Sequence, residues 1–101
     1  MIFSWFDATQ ARNIGQSLAQ FFIERIPPES PVKANKFLAK HQKVIDQIHR
    51  QAEQAIVEHR LNAFKKAKLA AAFQKELLHA GYDPELVHQV TQGVVLKLGY
   101  R

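Results

Sequence analysis

Cysteine is absent from the 101 residues of this chain. Without thiols the protein can form neither a disulfide nor a thiolate metal site, and it has no cysteine nucleophile. Disulfides are rare in the reducing cytoplasm, so the composition predicts a cytoplasmic protein. No window approaches the ~18 consecutive apolar residues of a membrane-spanning helix, and we therefore expect no membrane span.

Glycine and proline are also scarce, with four residues of each. Residues 32–80 contain neither, and almost every residue in this run forms helices well or tolerably. With so few glycines, the chain has no glycine-rich loop that could cradle a phosphate. The sequence therefore predicts an all-α fold, in one helical domain that spans residues 1–101.

Patterns of catalytic residues are missing as well. Serine occurs only as Ser4, Ser17 and Ser30, and none of these lies in the Gly-x-Ser-x-Gly pattern of a hydrolase nucleophile. Two of the three aspartates, Asp7 and Asp83, stand where they can cap a helix. We therefore expect no enzymatic activity and no cofactor.

Helix signals flank the long central run on both sides. A first helix follows Asp7, with apolar residues three or four positions apart, and ends at Pro27–Pro28. A last helix starts at Asp83–Glu85, which supplies a cap, a first-position proline and an acidic residue. Small residues recur at every fourth position of the first helix and would let a neighbouring helix approach closely: Ala11, Gly15 and Ala19.

The central run carries one apolar stripe whose mean spacing is close to the 3.6 residues of a helical turn. The stripe loses phase between Val57 and Leu69, where residues 58–62 could form a turn with Asn62 capping a new helix. Lysines soon after Asn62 oppose such a break, because cations are unfavourable at the positive end of a helix. We expect three helices with one very long central helix, at about 31–80. A break near 58–63 would instead give a four-helix bundle.

A continuous central helix would leave its apolar stripe uncovered. It would be about 73 Å long, whereas a compact domain of 100 residues has a radius of gyration of about 13 Å. A second chain would then have to cover the stripe, so we predict a protein that acts by association. The partner is a second copy, most simply in a homodimer, or another protein. The residues expected to mediate self-association are Phe37, Leu38, Val44, Ile45, Ile48 and Ile56.

Positive charge is concentrated in the same run. Residues 33–75 hold ten basic and three acidic residues, a net charge of +7, whereas the whole chain has a net charge of +5. A line of cations along one helix face suits a phosphate backbone, although no aromatic residue alternates with these lysines to stack bases. Binding of nucleic acid without sequence preference is therefore the alternative function. The residues expected to carry it are Lys33, Lys36, Lys40, Lys43, Arg50, Lys65 and Lys68.

Pairs of glutamate and histidine give a third hypothesis, a metal-binding helical bundle. Glutamate and histidine three positions apart lie on one helix face, as the ligands of di-iron bundles do. Here the pairs lie at a turn between helices, so we expect no metal site, and the candidate ligands are Glu76, His79, Glu85 and His88. His41 and His59 fall on the apolar stripe, and we expect them to be buried, hydrogen-bonded core residues.

The first six residues are largely apolar and aromatic. Their simplest interpretation is a hydrophobic plug that closes one end of the helical bundle. The alternative is a docking segment for a protein partner or a membrane interface, in which aromatic side chains insert beside basic residues. The residues that would dock are Phe3, Trp5 and Phe6.

Overall fold

The structure is a computed structural model that describes residues 7–28 and 33–97. The described residues form five helices and no strand, which confirms the predicted all-α fold. The helices are α1 (Thr9–Arg25), α2 (Ala34–Lys40), α3 (Gln42–His59), α4 (Ala63–His79) and α5 (Pro84–Lys97). None of these five is long and apolar enough to cross a membrane. The docking candidates Phe3, Trp5 and Phe6 lie outside the described residues.

The central run is not one continuous helix, so the expectation of a single helix over about 31–80 is wrong. The break falls inside the alternative range of 58–63, where Arg60 has left-handed backbone with φ 50°. The side chain of Asn62 caps α4 by accepting a hydrogen bond from the backbone N–H of Lys65 at 2.8 Å. Each lysine near this helix start costs roughly 0.3–1 kcal/mol and is screened by salt. Burial of Leu61 and of the apolar face of α4 outweighs that cost.

A second interruption, at His41, has no signal in the local sequence. His41 stands between α2 and α3 with φ −111° and ψ 25°, outside the helical region. Its ring packs on Phe37, with centroids 4.8 Å apart, and Phe37 in turn stacks on Phe22 of α1, with centroids 6.3 Å apart. The bend therefore lets the short α2 reach the end of α1 while α3 follows the length of the bundle.

The four longer helices form a closed ring in the order α1, α4, α5, α3, and α2 packs against α3 and α5. The pair α1 and α4 has the most extensive contact, and its two helices run in the same direction. Gly15 in α1 faces Leu69 in α4, and Ile26, just past α1, accepts a hydrogen bond from Tyr82, just past α4. The small-residue ridge of α1 therefore does admit a close neighbour, as its spacing predicts.

The hydrophobic core fills the space inside this ring. Its residues come from all five helices, and α2 contributes Phe37, which is 3% exposed. The apolar spacing of α1 predicts its inner face, because Ala11, Leu18 and Phe22 are all buried. The largest side chains that are completely buried are Phe22, Ile26, Ile48, Leu69, Phe73, Leu77, Val87 and Val94.

Tyr82 places a polar hydroxyl inside this core, between the ends of α1 and α4. The hydroxyl donates a hydrogen bond to the carbonyl of Ile26, and the ring meets Phe22 edge-on at 5.2 Å between centroids. Burial raises the pKa of Tyr82 from 10.0 to about 12, because the phenolate would lose its hydration. An unfolded tyrosine ionises near pH ~10. The stability from this group is therefore complete below pH ~10 and is lost as the pH rises towards ~12.

We expect Tyr82→Phe to lower the free energy of unfolding by about 1 kcal/mol at neutral pH, since the Ile26 carbonyl loses its buried donor. Phenylalanine does not ionise, so the variant should lose less stability than the wild type above pH ~10, and the two stabilities should converge. Urea unfolding at pH ~7, ~10 and ~11.5 measures both effects. If the difference in free energy of unfolding between the two proteins stays constant across this pH range, the loss of stability at alkaline pH is not caused by Tyr82.

Candidate functional site

The apolar residues predicted to mediate self-association lie on the inner side of the bundle. Three of the six are buried in the core: Phe37, Ile45 and Ile48. The other three are half-buried and pack against it: Leu38, Val44 and Ile56. The break after α3 turns α4 back into the bundle, so no second copy is needed to cover the stripe. Self-association stays a prediction, but these residues are already in contact within one chain.

The basic residues predicted to bind nucleic acid form two groups, with Arg50 exposed between them on α3. The first group is exposed on α2 and the start of α3: Lys33, Lys36, Lys40 and Lys43. The second group is half-buried at the start of α4: Lys65 and Lys68. The 18 residues of α3 separate the groups by about 27 Å. The predicted single line of cations is thus divided between opposite ends of the bundle, and nucleic-acid binding stays a prediction.

The histidines predicted for the core are only half-buried. His41 lies at the bend between α2 and α3, and its Nε2 atom is buried without a hydrogen-bond partner among the described residues. His59 lies in the last turn of α3. The expectation of buried, hydrogen-bonded histidines is therefore wrong for Nε2 of His41, and both residues are less buried than expected, because each lies at the end of a helix.

The candidate metal ligands lie around the turn between α4 and α5. Glu76 is half-buried in α4, whereas the other three are exposed: His79, Glu85 and His88. Within residues 7–28 and 33–97, no three side chains of histidine, cysteine, aspartate or glutamate lie close enough to hold a metal ion. The described residues therefore offer no metal centre from which to argue a function.

A broad open groove follows the seam between α1 and α3, with a volume of about 880 Å³. Phe21 of α1 is half-buried in this groove, and the guanidinium of Arg25 lies 3.6 Å from the centroid of its ring. On the α3 side Val57 is 78% exposed, more than any other large apolar residue that the structure describes. Two apolar side chains thus remain in contact with water along this α1–α3 groove.

The charges of the α1–α3 groove are balanced. Its lining includes two arginines, Arg25 and Arg50, and two glutamates, Glu53 and Glu58, and its three other polar residues are glutamines. Arg25 lies 3.9 Å from the neighbouring Glu24, in an exposed ion pair. Arg50, Glu53 and Glu58 make no ion pair within the described residues. These three side chains are therefore free to pair with groups of another chain.

The apolar spacing of the sequence does not predict this groove. A signal for it exists, because Val57 falls outside the apolar stripe where the stripe loses phase, and an apolar residue outside a buried stripe faces water. Phe21 gives no such signal, since it adjoins the buried Phe22 and looks like a second core residue. Other proteins offer no guide to the function of the groove: no protein-family model, curated protein or solved structure matches the chain.

Proposed function

We propose that this protein is a non-enzymatic helical module that acts by association, and that a second copy of the chain binds at the α1–α3 groove. The observation that carries the proposal is the exposure of Val57 beside an open groove that contains Phe21. Burying a valine side chain stabilises by roughly 1.5–3 kcal/mol. Within one chain Val57 stays exposed to water, so this stabilisation is obtained only when a partner buries its side chain.

The charge pattern along α3 favours a second copy as that partner. When two α3 helices pack antiparallel around a twofold axis at Gln54, Arg50 of one copy faces Glu58 of the other, because each lies four residues from the axis. Each dimer then contains two such Arg–Glu pairs. The axis also places Val57 opposite Gln51, and it brings together two Gln54 amides, which can donate and accept reciprocally.

The balance of charge supports the same choice of partner. Two arginines and two glutamates leave the lining without net charge, so it has no attraction for a polyanion such as nucleic acid. The polar character of the groove implies a small interface that forms reversibly. We therefore expect a dimer with a dissociation constant on the order of micromolar.

A charge swap across the proposed axis tests this dimer. Arg50→Glu and Glu58→Arg each replace two attractive pairs by two repulsive ones, and each should weaken the dimer about tenfold. The double variant restores opposite charges with reversed signs, so its dissociation constant should return towards that of the wild type. Sedimentation velocity from ~5 to ~500 µM measures all four proteins, and circular dichroism checks their helix content.

Val57→Glu and Leu96→Glu provide a matched control. Both residues are exposed apolar residues, at 78% and 71%, but Leu96 lies on α5, outside the lining of the groove. Only Val57→Glu should abolish the dimer. A wild type that stays monomeric at ~500 µM, or a double charge variant that does not recover, would contradict the proposal.

A further inference from the structure

A second concave surface lies on the other side of α1, in the cleft between α1 and α4. This α1–α4 cleft has a volume of about 220 Å³. Arg12 and Gln16 line it from α1, Lys68 and Lys75 line it from α4, and Glu76 and two alanines of α4 complete the lining. The cleft thus brings three cations together from two helices that are distant in sequence.

The close approach of α1 and α4 shapes this cleft. A Cβ atom on Gly15 would overlap the carbonyl oxygen of Leu69 and would lie 3.0 Å from the Cβ atom of Ala72. At this point the two helices therefore touch through backbone and methyl groups rather than through long side chains. The longer side chains on either side of the contact form the walls of the cleft.

The described residues neutralise the cations of the cleft only in part. Arg12, Lys68 and Lys75 form no ion pair there, and the Nζ atom of Lys68 lies 5.4 Å from the centroid of the Phe64 ring, a contact that leaves its charge in place. Among the described residues Glu76 is the one carboxylate in the lining, so three positive charges face one negative charge. The net charge of the lining is therefore +2.

The direction of the helices adds to the positive potential only at the Arg12 end of the cleft, because the effect of a helix dipole falls off within the first turn, and Lys68 and Lys75 lie beyond the first turn of α4. Because α1 and α4 run the same way, the positive ends of both helix dipoles, each equivalent to about +0.5 charge, lie at the same end of the pair. Neither helix has an acidic residue in its first turn. Asp7 precedes α1, and its carboxylate accepts a hydrogen bond from the Thr9 backbone, which lowers its pKa.

We infer that the α1–α4 cleft binds a phosphate group. The Arg12 guanidinium can hold two phosphate oxygens at once, the ammonium groups of Lys68 and Lys75 supply charge from the opposite wall, and the Gln16 amide adds a neutral donor. The cleft is smaller than the ~300–1,000 Å³ of sites for larger organic ligands. It therefore takes one phosphate group, either as free phosphate or as part of a larger molecule.

Thermal unfolding in sodium phosphate, compared with sodium chloride at equal ionic strength and pH ~7.5, tests the site. Phosphate that binds only the folded protein raises the melting temperature above its value in chloride. We expect Arg12→Gln/Lys75→Gln to weaken phosphate binding about tenfold or more and to abolish this rise. Lys36→Gln, which removes one exposed lysine of α2, should keep it. The altered side chains lie at the surface, and circular dichroism verifies that each variant is folded.

A ~12-nucleotide single strand, added to the same proteins, distinguishes the two sources of phosphate. If the strand binds, if free phosphate displaces it, and if the double cleft variant binds it more weakly, then the cleft holds a phosphate of the nucleic-acid backbone. No binding of the strand, together with a phosphate-specific rise, means that it holds free phosphate or a small phosphomonoester. Equal melting temperatures of the wild type in phosphate and chloride would overturn the assignment. It would also be overturned if Lys36→Gln lost the phosphate-dependent rise in melting temperature as fully as the double cleft variant.

Discussion

Phe22→Ala should lower the free energy of unfolding by about 3–5 kcal/mol. Phe22 is 0% exposed and joins α1 to two other parts of the fold, since it contacts Phe37 of α2 and Tyr82 beyond α4. Tyr82 is held in place by its hydrogen bond to Ile26, so its ring cannot move to fill the space. A cavity therefore remains and adds to the loss of buried apolar surface.

Urea unfolding followed by circular dichroism measures this loss. The adjacent Phe21 provides the control, because it is only half-buried at the α1–α3 groove and Phe21→Ala should cost less than about half as much. The total stability of a domain of this size is ~5–15 kcal/mol. If Phe22→Ala does not fold, Phe22→Leu provides the smaller comparison. A cost below ~1 kcal/mol for Phe22→Ala would mean that these rings do not hold the helices together.

Local patterns predicted the parts of the fold that depend on one or two turns of chain. The spacing of apolar residues in α1 predicted its buried side, which includes Leu18 and Phe22. Asp83 predicts the start of α5 at Pro84, and its side chain accepts a hydrogen bond from the Leu86 backbone at 3.2 Å. In both cases the residues that determine the structure are close neighbours in sequence, so a short window contains the relevant physics.

The breaks in the central run depend on contacts between distant residues. Left-handed backbone at Arg60 costs roughly 1–2 kcal/mol, and no glycine marks the position. The compensation comes when α4 packs along α1, with Leu69 facing Gly15. The bend at His41 likewise depends on Phe37 reaching Phe22, 15 positions earlier. A short stretch of sequence shows the residues at which each break costs free energy, but it does not contain the distant residues whose packing compensates that cost.

The candidate surfaces were harder to predict for the same reason. Phe21 and Val57 line one groove although 36 positions separate them. The sequence predicts that Lys68 acts together with the lysines of α2, whereas in the structure it lines one cleft with Arg12, 56 positions away. Composition indicated that the region is basic, but only the parallel pairing of α1 and α4 determines which cations share a cleft.

Gly15→Ala provides the most direct test of that pairing. We expect it to lower the free energy of unfolding by about 1–3 kcal/mol, although alanine in a helix is intrinsically better than glycine by ~1 kcal/mol. The new Cβ would overlap the carbonyl oxygen of Leu69, and a backbone atom cannot rotate away as the end of a side chain can. Helices α1 and α4 must therefore separate to admit it.

Gly93→Ala is the matched control, because it places the same methyl group in another helix of the bundle. Its Cβ would lie 3.0 Å from Nε2 of His49, the end of a side chain that can shift, so we expect a change within ~1 kcal/mol of zero. Urea unfolding of both variants separates the effect of a closer contact between helices on stability from the effect of the higher helix propensity of alanine. Separation of α1 and α4 would also widen the α1–α4 cleft, so Gly15→Ala should weaken phosphate binding while Gly93→Ala should not. A Gly15→Ala protein as stable as the wild type would contradict the close contact of the two helices.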